Sequence, residues 1–468
     1  MNLVGVLCLV LYAAGILHLA RRGAKSACVD SFFVNSRSSS PVSVALSIVV
    51  SCVGASATIG VVGMAFRVGT PAFWWLGMGA LGLVLLAFAL AKKVRTSGAL
   101  TMPQLVESLM GPRARTLVAL IVLIAWIAIL AAQFTALSRV LQGMLGLGSP
   151  ACLVIGYALV VVHSLGGQAA IMRTDRVQFL IILSVLLFIL AWLSQINPGW
   201  SGRVNFELYN SDFPASMVLY FMFVVGGNYV VCPTLFGRLL SAKSSAGTKS
   251  GAVLGALGLA GCSSIIVAIG LGAVGLVPAS TPEDAVLSTL AMQHMPEWLG
   301  ILVSVALLSA IVSSADSCLV TVSTVFSFDL LGKNSVNHSR VSLLGIGLAG
   351  LLASLLGQSI LAYLLMAYDI YLCGVVVPVF IALTISHTRF RINPVFACAA
   401  IGIGGICGAV SGIGGITQMS YVGMGCSAAI CMCGVLYENR KGNLKDIRFT
   451  QIQGQALAPA GARQCRIR

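Results

Sequence analysis

The chain has 468 residues, 58% of them hydrophobic and only 9% charged, with 28 Lys and Arg against 13 Asp and Glu. Soluble domains carry roughly a quarter charged residues, so this composition excludes a water-soluble enzyme or binding module. The net charge of +15 points to membrane topology and not to nucleic acid, because the basic residues fall between apolar blocks.

Those blocks are about 20 residues long, the length of a helix that crosses a bilayer, and no short alternating strands of a barrel occur. In chain order they predict about 13 spans at 3–19, 42–66, 72–94, 115–142, 150–165, 176–196, 213–234, 249–277, 298–331, 341–357, 361–386, 393–411 and 418–437. The first stretch, Leu3 to Leu19, has no basic region before it and no cleavage site after it, so it reads as a retained span. Fourteen Cys lie almost wholly within apolar segments and read as small buried hydrophobes, not as a disulfide framework.

Lys and Arg concentrate on the cytoplasmic side of membrane proteins. With the N-terminus outside, only Arg67, Arg139 and Arg203 fall on the outer side. Arg21, Arg22, Lys25, Arg238, Arg389 and the basic tail are among those within. The expected frame is N-terminus outside and C-terminus cytoplasmic, in a plasma membrane.

An unbroken helix satisfies its own backbone and offers little to an ion, whereas transporters expose carbonyls and amides at broken helices in matched repeats. Two segments fit such breaks: Ser51-Cys-Val-Gly54-Ala-Ser56-Ala-Thr58-Ile-Gly60, and Gly226-Gly227-Asn228-Tyr229-Val-Val-Cys232-Pro233. Glycines also serve close helix packing, but Pro233 favours a real discontinuity. Counting five spans from each break gives two sets of opposite orientation. The expected division is 1–41 as an extra helix and loop, 42–196 and 213–387 as two halves joined by 197–212, 388–437 as two more helices, and 438–468 as a basic tail.

The most informative span reads Ala310-Ile-Val-Ser313-Ser314-Ala-Asp316-Ser317. Asp316 lies about 27 Å along a helix starting at Trp298, and intramembrane carboxylates are rare and face a bundle interior or a water path. Ala310, Ser313, Ser314 and Ser317 share one helical face. Together they offer a carbonyl and several hydroxyls, the oxygen ligands a hard cation takes. The competing reading is that the hydroxyls bond back to carbonyls four residues earlier.

These residues resemble the sodium:solute symporter family over most of the chain, from about Phe32 to the end of span 361–386. Phe32-Phe-Val-Asn-Ser-Arg37 looks like its motif before the first core helix. His163-Ser-Leu-Gly166-Gly167 through Thr174-Asp175 to Gln178 is similar to its Gly-Gly…Thr-Asp…Gln signature. Pro233 through Arg238 to Ala242-Lys243-Ser244 resembles the motif after its broken sixth core helix, and Ala310-x-x-Ser313-Ser314 its sodium motif. The resemblance implies an all-α polytopic membrane protein with a five-plus-five inverted-repeat (LeuT-like) core. It also implies a sodium site from the carbonyls of Val50, Val53 and Ala310 with the hydroxyls of Ser313 and Ser314. Asp175 would then pass sodium toward the cytoplasm alongside Asp316; alternatively, Asp175 is an interfacial aspartate paired with Arg173 or Arg176. The chain departs from relatives at Cys52, Gly54 and Val225, in the region expected to meet solute.

Between the breaks, Ser56, Thr58, Asn228 and Tyr229, with Gln133, are the expected solute-binding residues. They suit a small neutral, zwitterionic or monocarboxylate solute. Asp369 either pairs with a solute cation or closes a polar contact within the bundle. The expected function is sodium-coupled symport by alternating access, with Na+ as coupling ion and no cofactor. A proton-coupled or facilitative carrier of the same fold is the alternative. The His residues, 18, 163, 294, 338 and 387, are scattered, which speaks against an enzyme.

Overall fold

In a computed structural model, residues 3–23, 29–204, 207–386 and 390–440 are described. Arg389, Lys25 and the tail beyond Arg440, which entered the charge argument, lie outside them, as do the side chains of Arg21 and Arg22. The described residues form helices and loops only, with two isolated backbone bridges and no strand.

Every predicted span carries a helix. They are α1 (Leu3–Gly23), α2 (Pro41–Cys52 and Ser56–Val68), α3 (Thr70–Ala89), α4 (Pro112–Leu145), α5 (Ser149–Ser164), α6 (Gly167–Ile196) and α7 (Ala215–Leu240). They continue as α8 (Ser245–Ala273), α9 (Glu297–Leu330), α10 (Val336–Ser354), α11 (Ile360–Ile385), α12 (Pro394–Gly414) and α13 (Thr417–Arg440). By length and apolarity nine of them qualify as spans among the described residues, or ten with the bent α2. The other three, α1, α5 and α10, are shorter or less apolar. The protein is an integral membrane protein.

The first helix of each five-helix set is the broken one. In α2 the two pieces meet at 64°, with Val53 outside the helical region at φ −87°, ψ 57°. Gly54 is required there because a Cβ would lie 2.3 Å from the Ser314 hydroxyl. In α7 the break follows from Pro233: it supplies no N–H, clashes with the carbonyl four residues back and pushes the preceding residue out of the helix. Cys232 is accordingly extended, at φ −62°, ψ 121°.

Helix α9 packs between α4 and α6, while α2 lies against α8 and α6. Most of α9 from Ala306 onward is buried, as expected of a central helix that is apolar or small on all sides. The extra helix α1 docks on α6, where the Tyr12 hydroxyl accepts a 3.0 Å bond from Gln178. The pair α12–α13 packs against α11.

At one end of the core, the segment before α2 and the segment after α7 are tied through their backbones. Ser39 N–H donates to the Ser241 carbonyl at 2.9 Å, and Lys243 N–H to the Ser39 carbonyl at 3.1 Å. At the other end, the segment between α8 and α9 is tied to α4 by Arg139–Asp284 at 2.9 Å. Arg67 of α2 also donates to its Thr281 carbonyl at 2.6 Å.

Candidate ion and solute site

Breaking α2 releases backbone acceptors. Val53 N–H still donates to Val49 and Thr58 N–H to Gly54, but among the described residues none donates to the carbonyl of Val50 or Val53. The amide of Ala55 turns to the Gln133 side chain at 3.3 Å. Opposite this break stands the small-residue face of α9, with Ala310 and Ser313 fully buried and Ser314 3% exposed. The Ser314 hydroxyl donates to the Ser51 carbonyl at 2.9 Å, which holds the break against α9. Ser313 does not bond back along its own helix; it donates 2.7 Å to Asp175 of α6. Ser314 thus meets the α2 break directly at Ser51, between Val50 and Val53 in sequence, while its neighbour Ser313 turns to α6.

Asp175 does not pair with Arg173 or Arg176. It is fully buried, accepts from Ser47 and Ser313, and faces Arg238 at 3.8 Å. Arg238, counted on charge alone with the inner loops, is itself wholly buried. It donates to the carbonyls of Ser47 at 3.2 Å and Thr234 at 3.1 Å and to the Ser317 hydroxyl. Asp316 contacts His163 of α5 and accepts 3.1 Å from Ser317. The cluster holds two carboxylates against one permanent cation, Arg238.

A cavity of about 60 Å³ lies beside this junction, lined by Ser56, Gln133 and Tyr229 with Trp126, Thr234 and Tyr368. Three thiols, Cys52, Cys232 and Cys318, also reach it. Among the described residues no charged side chain lines it. The volume matches about two waters. Thr58 is placed elsewhere: its hydroxyl bonds to the Gly54 carbonyl and its side chain faces the α6 side. Asn228 donates to the carbonyls of Val224 and, at 3.2 Å, Tyr368, bridging α7 to α11. A larger cavity of about 1030 Å³ opens under the segment between α8 and α9, and Ile59 and Leu361 form part of its wall.

Arg238, His163, Ser47, Trp126 and Tyr368 were not singled out from sequence. Arg238 and His163 stood inside quoted motifs. Ser47 follows from Ser51 by one helical turn. Trp126 and Tyr368 carry no local signal, because their place depends on how distant helices pack.

The model of the sodium:solute symporter family matches residues 32–340. The chain is 26% identical over 369 residues to the sodium/pantothenate symporter of Haemophilus influenzae, covering 70% of this chain and 72% of that one. Among solved structures it is similar to a Na+-coupled sialic acid symporter in a substrate-bound outward-open state, described as revealing a novel Na+ site. There the TM-score is 0.78 with 16% identity, covering 93% of this chain and 98% of that one. It is also similar to the nucleobase-cation-symport-1 transporter MHP1, with a TM-score of 0.61, 16% identity and coverage of 89% and 96%. The amino-acid-bound MhsT gives 0.56, 14%, 84% and 99%. The fold is therefore the LeuT-like one expected.

Proposed function

This chain belongs to the sodium:solute symporter family, and we propose that it couples inward sodium flow to uptake of a small organic monocarboxylate of the pantothenate type. The observation that carries this reading is the pair of undonated carbonyls, Val50 and Val53, set against Ser313 and Ser314. With the Ala310 carbonyl they form a neutral oxygen set, which suits an ion that must also leave. The second carboxylate of the Asp175, Asp316 and Arg238 cluster supplies the net negative charge that attracts a cation. Asp175, one hydroxyl away through Ser313, is the next oxygen on the path, with Asp316 beyond it.

The solute binds in the central cavity against Ser56, Gln133 and Tyr229, with Thr58 and Asn228 shaping the two breaks. A carboxylate there meets no cationic side chain; the N-terminus of the half-helix starting at Pro233 faces it instead. A cavity of about 60 Å³ cannot hold such a solute, so binding requires the bundle to open. Solute enters from the larger cavity past Ile59 and Leu361. Sodium and solute raise each other's affinity by the same factor. In the membrane the N-terminus is outside and the C-terminus cytoplasmic, following the Lys and Arg bias. The test is uptake of radiolabelled pantothenate into proteoliposomes with and without a sodium gradient at fixed pH. Uptake that follows a proton gradient and ignores sodium would overturn the reading.

A further inference from the structure

Asp369 takes no part in either site. Its neighbour Tyr368 lines the central cavity, while the carboxyl of Asp369 turns the other way, toward α12 and α13. It is 3% exposed. The Tyr220 hydroxyl of α7 lies 3.0 and 3.1 Å from its two oxygens, and the Ser411 hydroxyl of α12 lies 3.1 Å from Oδ2. Ser411 Oγ is also 3.0 Å from the Ile416 carbonyl and 2.7 Å from the Ser420 hydroxyl of α13.

These contacts can be counted in protons. Each hydroxyl donates once. Tyr220 gives its proton to the carboxyl, and Ser420 gives its own to Ser411. If Ser411 then donates to the carboxyl, its oxygen faces the Ile416 carbonyl at 3.0 Å with no proton between two acceptors. If it donates to Ile416 instead, it faces an anionic oxygen with none. Four contacts need four protons and three hydroxyls supply three. A fourth proton on Oδ2, donated to Ser411, frees Ser411 to donate to the Ile416 carbonyl, with the Ser420 hydroxyl shared between Ser411 and the carboxyl.

Charge points the same way. Among the described residues no Lys, Arg or His forms an ion pair with Asp369. The titratable groups around the cluster are Tyr220 on α7, Tyr421 on α13, Cys373 on α11 and Cys407 on α12, all uncharged in their ordinary state at neutral pH. A carboxylate buried inside a bilayer with hydroxyl partners but no cation is disfavoured.

We infer that Asp369 is a proton-binding site separate from the sodium site, occupied in the working protein. The neutral acid joins the outer piece of broken helix α7 and α11 to the α12–α13 pair. Loss of the proton at alkaline pH places an unpaired charge among four helices and loosens that joint.

Infrared spectroscopy of the purified protein tests this directly. The wild type should show a carboxylic-acid C=O band that shifts in D2O, is missing in Asp369→Asn, and moves in Tyr220→Phe, which removes one bond to that group. Asp369→Asn, a neutral isostere, should keep stabilisation by added NaCl in thermal unfolding and lose the alkaline fall in melting temperature seen in the wild type. Absence of the band, or its insensitivity to Tyr220→Phe, overturns the inference. A band that vanishes on addition of NaCl also overturns it, in favour of a metal cation in the same oxygen cage. So does an Asp369→Asn protein that retains the wild-type alkaline sensitivity.

Discussion

Gly54→Ala probes the junction on which the proposed sodium site depends. The new Cβ would lie 2.3 Å from Ser314 Oγ, 2.8 Å from Ser314 Cβ and 3.2 Å from Gln133 Oε1. Rotating the Ser314 hydroxyl relieves the first contact and leaves the second, so the break in α2 must draw back from α9. That movement separates the Val50 and Val53 carbonyls from Ser313 and Ser314, and sodium has to close the gap again to bind. Overpacking costs typically 1–3 kcal/mol and a lost hydrogen bond such as Ser314 to Ser51 about 1 kcal/mol. With about 2 kcal/mol of this falling on the ion-bound form, half-saturating sodium rises about 30-fold. Sodium-dependent uptake and radioactive sodium binding by purified protein both read this. Gly261→Ala in α8, where a Cβ meets nothing within 4 Å, is the matched control. Adding Ser314→Ala to Gly54→Ala should cost little more, because the hydroxyl is already displaced. A Gly54→Ala protein with the parent's sodium dependence would refute this placement of the site.

Other consequences can be checked alongside. Ser313→Ala and Ser314→Ala should each raise half-maximal sodium by roughly fivefold, from about 1 kcal/mol per lost oxygen contact; unchanged sodium dependence in both would remove these hydroxyls from the site. Arg238→Gln leaves Asp175 buried without its cation and should cost about 3–5 kcal/mol of stability. Asp175→Asn in that background should restore much of the loss in a thermal melt, and strictly additive effects would contradict the pairing. Glu283, in the segment between α8 and α9, has its carboxyl pushed up by burial, with Arg67 opposing and Asp284 adding. The folded form then binds the proton more tightly than the unfolded one. Stability is therefore fullest below the ordinary carboxylate range, near pH 4, and declines as pH rises through the elevated value. Glu283→Gln should flatten that decline in melting temperature measured against pH, and a slope identical to wild type would refute the assignment.

How much was legible in the sequence differs from site to site. Helices α2 and α7 announced their breaks through local residues, a run of small and polar residues around Gly54 and a proline that cannot continue the ladder, although the reason Gly54 admits no side chain is Ser314 arriving from α9. The Ser313-Ser314 face was legible because a 3.6-residue period places it without knowledge of any partner. Arg238 misled for a related reason. Charge between apolar blocks reads as a loop, and only the arrival of Asp175 from α6 explains its burial. Thr58 was grouped with Ser56 by spacing, yet the 64° bend and the local winding turn it away from the cavity. Asp369 was visible as an oddity, but its partners come from α7, α12 and α13, and no local pattern predicts such a convergence.

The tie between Ser39 and Ser241–Lys243 has a further consequence. It consists of two backbone hydrogen bonds, each worth a net 0.5–1.5 kcal/mol or so, and uses no side chain. Parting both removes about 2 kcal/mol from this tie alone, while Arg238 of α7 still holds the Ser47 carbonyl of α2 at 3.2 Å. The amides and carbonyls belong to any residue but proline, yet Ser39 and Ser241 are buried and their hydroxyls bond to Asn35 and to the Arg238 carbonyl, so only small residues fit there. The backbone part of this tie is thus of a size that the differential affinity of a single bound ion or solute can match.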